Sequence, residues 1–273
     1  MAQIKLQGNT KIQGKTIFET APAGYSVTDA NAAAYISAVE AADGASLEDP
    51  VKQAIEGFIV GCKSDGIWSA IKASCILAGA RTLNGALVPL VGTAPTNFNF
   101  VSGNYNRKTG LVGNGSTKRL NSGRSNNADP QNSRHMAVWV SERHNRNALY
   151  VSTITTLNGS GDSYIYQSAD FSVNTAKIAS AGTPLGPGGT NLVNGFYGAS
   201  RASGSNISVR RQNASVTQNT NSVTPVNENL VIFGTSSFYS NGRLSFYSIG
   251  EGINLALLNT RVSNLMTALN SAI

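Results

Sequence analysis

The sequence predicts a mainly β protein: an antiparallel two-sheet sandwich of jelly-roll type, preceded by a helical N-terminal region and closed by a C-terminal helix. Three observations carry this. From residue 93 onward, about nine short strand-like runs recur between Gly, Asn and Ser clusters. No helix of useful length separates these runs, which excludes a parallel α/β sheet. Charged residues make up 13% of the chain, roughly half the usual share, as in turn-rich β proteins and unlike an ordinary cytosolic α/β enzyme.

Three segments follow in order. In residues 1–26, Ile4 and Leu6, then Ile12, then Ile17 alternate with polar residues, and KLQGNT is followed at once by the near-repeat KIQGKT. Short strands ending in glycine turns fit both halves. So short an arm cannot bury a core of its own. It is expected to pair with the rest of the protein or with a neighbouring subunit, as an arm for assembly or docking.

Residues 27–92 read as a small helical region. TDANAAAYISAVEAADG offers Thr28 or Asp29 as a helix start and Gly44 as a stop, with Tyr35, Ile36 and Val39 on one face. SLEDPVKQAIEGFIVGCKSDG follows, with Asp49 or Ser46 as N-cap and Pro50 at the first helical position. There Val51, Ala54, Ile55, Phe58, Ile59 and Cys62 recur at the spacing of an amphipathic helix. GIWSAIKASCILAGA, led by Trp68 and Ile71, reads as a third, shorter helix. Cys62 and Cys75 both fall in this helical sequence and read as small buried apolar residues. The wide apolar faces must pack on one another, on a sheet or on another chain.

Residues 93–273 carry the sandwich. Its strands are NFNFV, TGLVG, HMAVWVSE, NALYVSTI, DSYIYQS, VNGFYGASR, NISVRRQ, ENLVIFG and RLSFYSIG. Trp139 sits mid-strand, with Val138 and Val140 on the opposite face, and reads as a core residue. The last strand runs through Gly250 into a helix whose apolar face passes through Leu258, Val262, Leu265, Met266 and Leu269.

The net charge of +7 is unevenly placed. Residues 1–96 hold seven Lys/Arg against eight Asp/Glu, whereas residues 97–250 hold thirteen against five. The cations are scattered among Asn and Ser instead of forming a stripe interleaved with aromatics, which disfavours nucleic acid as a partner. No apolar run is long enough to insert in a membrane. MAQIKLQGNTKIQG lacks the apolar stretch of an export signal.

Several motifs in order carry a family resemblance: LVGNGSTKRL at 111–120, HMAVWVS with Trp139, GFYGASR, LVIFGTS, and GRLSFYSIGEGINLALLNTRVSNLM. The set resembles the concanavalin A-like lectin/glucanase jelly roll, in particular its laminin-G-like and pentraxin-like branch, over about two-thirds of the chain. A second resemblance covers nearly all of it. Residues 63–120 together with the C-terminal pattern are similar to phage-encoded virion proteins, in which a small helical region precedes such a domain.

That resemblance implies a bacteriophage virion structural protein, a tail-fibre or appendage subunit made in the host bacterial cytoplasm. Its partners would be itself, as a homotrimer, other virion proteins and host cell-surface polysaccharide. Capsid decoration is the structural alternative, and a polysaccharide-degrading enzyme the catalytic one.

The residues offer little for catalysis. Glucanases of this fold place paired acids on one strand face in an E-x-D-x-x-E run, which is absent here. Asp129, Glu142, Asp162, Asp170 and Glu228 are isolated. No G-x-S-x-G elbow is present. His135 and His144, nine residues apart, lack companion ligands for zinc. No cofactor is implied. Asp129, in the Asn-rich SNNADPQNS, is a weak calcium candidate that a turn before Pro130 explains equally well. The glycan-contact candidates are loop residues whose planar amides, guanidinium groups and ring suit hydroxyls and acidic sugars: Asn126, Asn127, Arg143, His144, Asn145, Arg146 and Tyr239. Ordinary solvated loops account for the same residues.

Overall fold

The computed structural model describes residues 24–144, 146–153, 159–168, 174–181, 186, 194–235 and 238–273. All but the last three residues of the expected N-terminal β arm lie outside these, as does Asn145.

Two helices come first, α1 (Ala30–Asp43) and α2 (Asp49–Ser64). The Asp29 side chain caps α1 by accepting from the N–H groups of Asn31 and Ala32, and Gly44 ends it in the left-handed conformation at φ 67°. For α2 the N-cap is Glu48, not Asp49 or Ser46, and its side chain makes no cap bond. Its carboxylate is held instead by Arg107 and Arg81.

The expected third helix is a strand. A single 3-10 turn at Trp68–Ala70 leads into β1 (Ile71–Ile76), which pairs antiparallel with residues 246–250. An apolar run of this length fits a buried strand as well as a helix, and the open edge of the sheet takes it. Cys75 therefore lies in a strand inside the sandwich, and Cys62 in α2; both thiols are free and buried. A single helical turn, α3 (Leu83–Ala86), completes the region. Because β1 belongs to the sandwich, the expected boundary at residue 92 does not separate a helical unit from a β unit.

The remaining strands are β2 (Thr96–Phe98), β3 (Tyr105–Asn106), β4 (Gly110–Val112), β5 (Arg119–Ser125), β6 (Arg134–Glu142), β7 (Ala148–Ser152), β8 (Ser163–Gln167), β9 (Asn174–Ile178), β10 (Gly195–Arg201), β11 (Asn206–Arg211), β12 (Ala214–Asn219), β13 (Asn229–Ile232) and β14 (Arg243–Gly250), before α4 (Leu255–Ala272). The larger, eight-stranded sheet runs β12-β11-β10-β6-β14-β4-β3, with β1 also on β14. The smaller, six-stranded sheet runs β2-β5-β13-β7-β8-β9. All pairings are antiparallel, and the fold is the sandwich the strand pattern predicts.

Strand parity produces three layers. On β10, β6 and β14 the register aligns Tyr197, Val138 and Tyr247 on the face toward the smaller sheet, within the inter-sheet core. The neighbouring row, Phe196, Trp139 and Phe246, faces the other way and meets the helices. Phe58 of α2 stands edge-on to Phe246 at 5.6 Å between centroids. Trp139 is thus a packing residue between the larger sheet and the helical layer. The apolar face of α4, through Leu258, Val262, Leu265, Met266 and Leu269, is buried in this same layer. Arg261 clamps α4 to the end of α2 through two 2.7 Å bonds to Asp65.

Candidate functional site

The expected site residues separate to opposite ends of β6, whose nine residues span about 26 Å. Asn126, Asn127 and Asp129 lie near its start. Arg143, His144 and Arg146 follow its end, where His144 meets Ser240 and Arg146 lies near Asn241, in the segment that follows Tyr239.

The starting end is closed on itself. Asn126 is 4% exposed; its Nδ2 donates to the Gly161 carbonyl at 2.9 Å, and its own carbonyl accepts from Arg134. It is a strut between loops, so its expected role as a glycan ligand is withdrawn. Asn127 is exposed, and its Oδ1 accepts from Ser125 Oγ at 2.6 Å in a local turn. Asp129 is buried, with both carboxylate oxygens bonded to Arg124 and its carbonyl to Arg134. A carboxylate already neutralised by a guanidinium is a poor calcium ligand, which corrects the metal candidate. Among the described residues, no group of three or more His, Cys, Asp or Glu converges to hold a metal.

His135 completes this end, 2% exposed. Nδ1 lies 2.6 Å from the Glu251 carbonyl and Nε2 2.7 Å from Ser248 Oγ. A carbonyl only accepts, so Nδ1 carries the proton and Nε2 accepts from the serine. Burial pulls this imidazole down to about 4. A cavity of about 10 Å³, lined by Asn126, Asp129, Arg134, His135 and Ser163 among others, lies beside it. That is room for about one water.

The far end is built by close backbone approach. Residues 113–115 run beside 240–242: the Gly113 N–H donates to the Gly242 carbonyl at 3.0 Å and that of Gly115 to the Ser240 carbonyl at 3.2 Å. A Cβ at Gly113 would collide with the Ser240 carbonyl, and one at Gly115, already at φ 71°, with the Arg146 guanidinium. Gly113 is therefore required by the close Ser240 backbone and Gly115 by its positive φ, and Arg146 lies exposed beside them on the rim.

Beside them, β2 and β5 place Phe98 opposite Arg119 on the outer face of the smaller sheet. The Arg119 guanidinium lies over the Phe98 ring at 4.4 Å, and its Nη1 donates to Tyr239 Oη at 2.8 Å. Tyr166 and Phe238 add an edge-to-face pair at 6.3 Å. Lys118, Arg119 and Arg146 make no ion pair with any described residue, whereas Glu142 at this end is taken by Arg243.

His144 does not present its ring to solvent. It is 7% exposed, with Nε2 3.1 Å from Ser240 Oγ and the ring edge-on to Tyr150 at 6.0 Å. Its Nδ1 has no hydrogen-bond partner. Burial and the nearby Arg146 charge pull it down to about 4. The physical reason it leaves the ligand set is that it fills the space under the 240–242 segment. Arg143 is half-buried, its N–H bonded to Asn194 Oδ1 at 3.1 Å. The end thus joins Arg146 and Tyr239, which the sequence singles out, to Phe98 and Arg119, which it does not. Strand parity in NFNFV and TKRLN was the available signal for the latter pair.

A separate groove of about 500 Å³ lies between the start of α4 and the β10–β12 wing. Ser200, Asn206, Ser208, Ser215 and Asn254 line it with hydroxyls and amides, and its lining has no titratable side chain.

No protein-family model and no curated protein matches the chain. Among solved structures it is similar to a GH54 α-L-arabinofuranosidase at 10% identity and TM-score 0.40, over 58% of this chain and 41% of that one. It is similar to a Trypanosoma rangeli sialidase at 11% identity and TM-score 0.45, over 79% and 38%. Domain 4 of a GH43 extracellular arabinanase from Geobacillus stearothermophilus matches at 12% identity and TM-score 0.36, over 63% and 82%. The chain spans about two-fifths of the length of the first two. Its sandwich is defined by its own strand pairing, and likenesses this distant say nothing of activity or ligand.

Proposed function

We propose that the chain is a non-enzymatic bacteriophage virion component, a tail-fibre or appendage subunit that meets host surface glycans through the rim formed by Arg119, Arg146 and Tyr239. The observation that supports glycan contact is that rim: cations without carboxylate partners among the described residues, beside half-buried aromatic rings. Guanidinium groups and aromatic faces serve the hydroxyl edges and C–H faces of sugars. The virion role is supported by the sequence resemblance over most of the chain, and a homotrimer is the assembly it favours. Capsid decoration is the alternative setting for the same protein.

The test is binding to a panel of bacterial capsular and O-antigen polysaccharides. A variant with Lys118, Arg119 and Arg146 all changed to Gln is expected to bind about tenfold more weakly, with a shallower salt dependence. No binding by the unaltered protein across the panel overturns glycan contact. Release of reducing ends from a bound polymer overturns the non-enzymatic assignment, and a stable monomer at micromolar concentration in mass photometry overturns the trimer.

A further inference from the structure

We infer that Arg119 is a carboxylate seat, the group by which this rim selects saccharides bearing a carboxylate, of the uronic-acid class, over neutral ones. This rests on the rim being a glycan-contact surface and goes on to say what the glycan must carry.

The guanidinium is fixed twice. Its Cζ rests over the Phe98 ring, and its Nη1 is held by the bond to Tyr239 Oη. Five N–H donors are present on an arginine, and the described structure engages one nitrogen of this one. The free edge is therefore held in a defined direction, and it has no carboxylate partner among the described residues. A carboxylate is planar and takes two parallel N–H bonds from such a fork, whereas a hydroxyl takes one. Pre-fixing also removes the rotamer entropy that a loose surface arginine loses when it binds.

The surroundings complete the fit. Arg146, exposed above Gly115 and beside Asn241, adds attraction for an anion without the same fixation. A loose cationic surface would favour any polyanion in proportion to its charge. A fixed fork favours a planar carboxylate, which takes two parallel N–H bonds from it.

The experiment measures binding of the full chain to polygalacturonate, to the same polymer after carboxyl reduction, and to dextran sulfate, by calorimetry. The expected result is a preference of roughly tenfold or more for polygalacturonate over its reduced form. R119K, which keeps the charge and loses the fork and the stack, is expected to erase that preference, and Y239F to weaken it. K118Q should lower binding to both polyanions alike. Thermal melts of R119K and Y239F matching the unaltered protein establish that each is folded. Equal binding of polygalacturonate and its reduced form overturns the seat while leaving glycan contact standing, as does R119K with the preference intact. Dextran sulfate bound as tightly as polygalacturonate and equally weakened by R119K also overturns it. Failure to bind any polymer, here and in the wider panel, overturns both.

Discussion

The two ends of β6 hold similar side chains and use them in opposite ways. Near its start, Arg134 and Arg201 turn inward, and the half-buried Arg124 is taken by Asp129. Arg201 is fully buried, with its Nε and Nη1 donating to the carbonyls of Ile178, Ser203, Asn206 and Thr220 and its Nη2 to Ser180 Oγ. Its register partner Arg134 donates to the carbonyls of Asn126, Asp129 and Pro130. Past the end of β6, Arg146 and the neighbouring Arg119 and Lys118 stay at the surface. The same residue type is a loop-fastening bolt at one end and a contact group at the other. What separates them is whether unpaired backbone carbonyls surround the guanidinium, since a buried carbonyl without a donor costs free energy.

The largest expected difference tests that contrast directly. Arg201→Met leaves several buried acceptors without donors and is expected to cost about 3 kcal/mol or more. Arg146→Met is expected to change stability by no more than about 0.5 kcal/mol. Urea unfolding of the two variants decides it, and equal losses would erase the distinction between the ends.

The histidines sharpen it next. His135 and His144 each have a folded value near 4 against an ordinary value of 6.5, so the unfolded chain takes up protons that the folded chain refuses. Their contribution to stability is present above pH 6.5 and is lost as the pH falls toward about 4. For His135, held at both ring nitrogens, the loss is of the order of 3 kcal/mol. Urea midpoints at pH 7, 5 and 4 for the unaltered protein, His135→Gln and His144→Gln measure it. Each variant should flatten the decline, His135→Gln more, although both lower stability at pH 7.

The smallest expected effect is calcium. Because Arg124 occupies both carboxylate oxygens of Asp129, adding millimolar calcium or a chelator should move the melting temperature by no more than about 1 °C. A larger shift would show a site at the closed end that the arginines do not fill.

Much of this architecture can be read from the residues. Apolar alternation identifies most strands of both sheets but not β5 or β9, since RLNSGRS carries a single apolar residue, Leu120, and Asp29, Gly44 and Pro50 mark the helices because capping chemistry is local. The face of α4 follows from three-and-four spacing alone. The strand β1 does not emerge, because IKASCI has no one-sided pattern once both its faces are covered. The polar edge strand β12 escapes for the opposite reason: with its side chains largely exposed, no alternation is imposed on it. At the site, loop composition brings Arg146 and Tyr239 into view. Their junction with Arg119, 120 residues before Tyr239, depends on the order of strands in a sheet, which no local pattern encodes. Nor does composition reveal that His144 and Asn126 are buried, since loop residues that fasten loops look like loop residues that face solvent.

The position of β14 has a consequence for how the protein is made. This strand, residues 243–250, lies at the centre of the larger sheet, bonded to β6 on one side and to β4 and β1 on the other. Residue 71 meets residue 250 across it. During synthesis, β6 and β1 must wait with unsatisfied edges for more than a hundred residues of translation. Such distant pairing folds slowly and leaves sheet edges open to aggregation. The chain is therefore expected to fold after residue 250 clears the ribosome, and to depend on holdase chaperones until then.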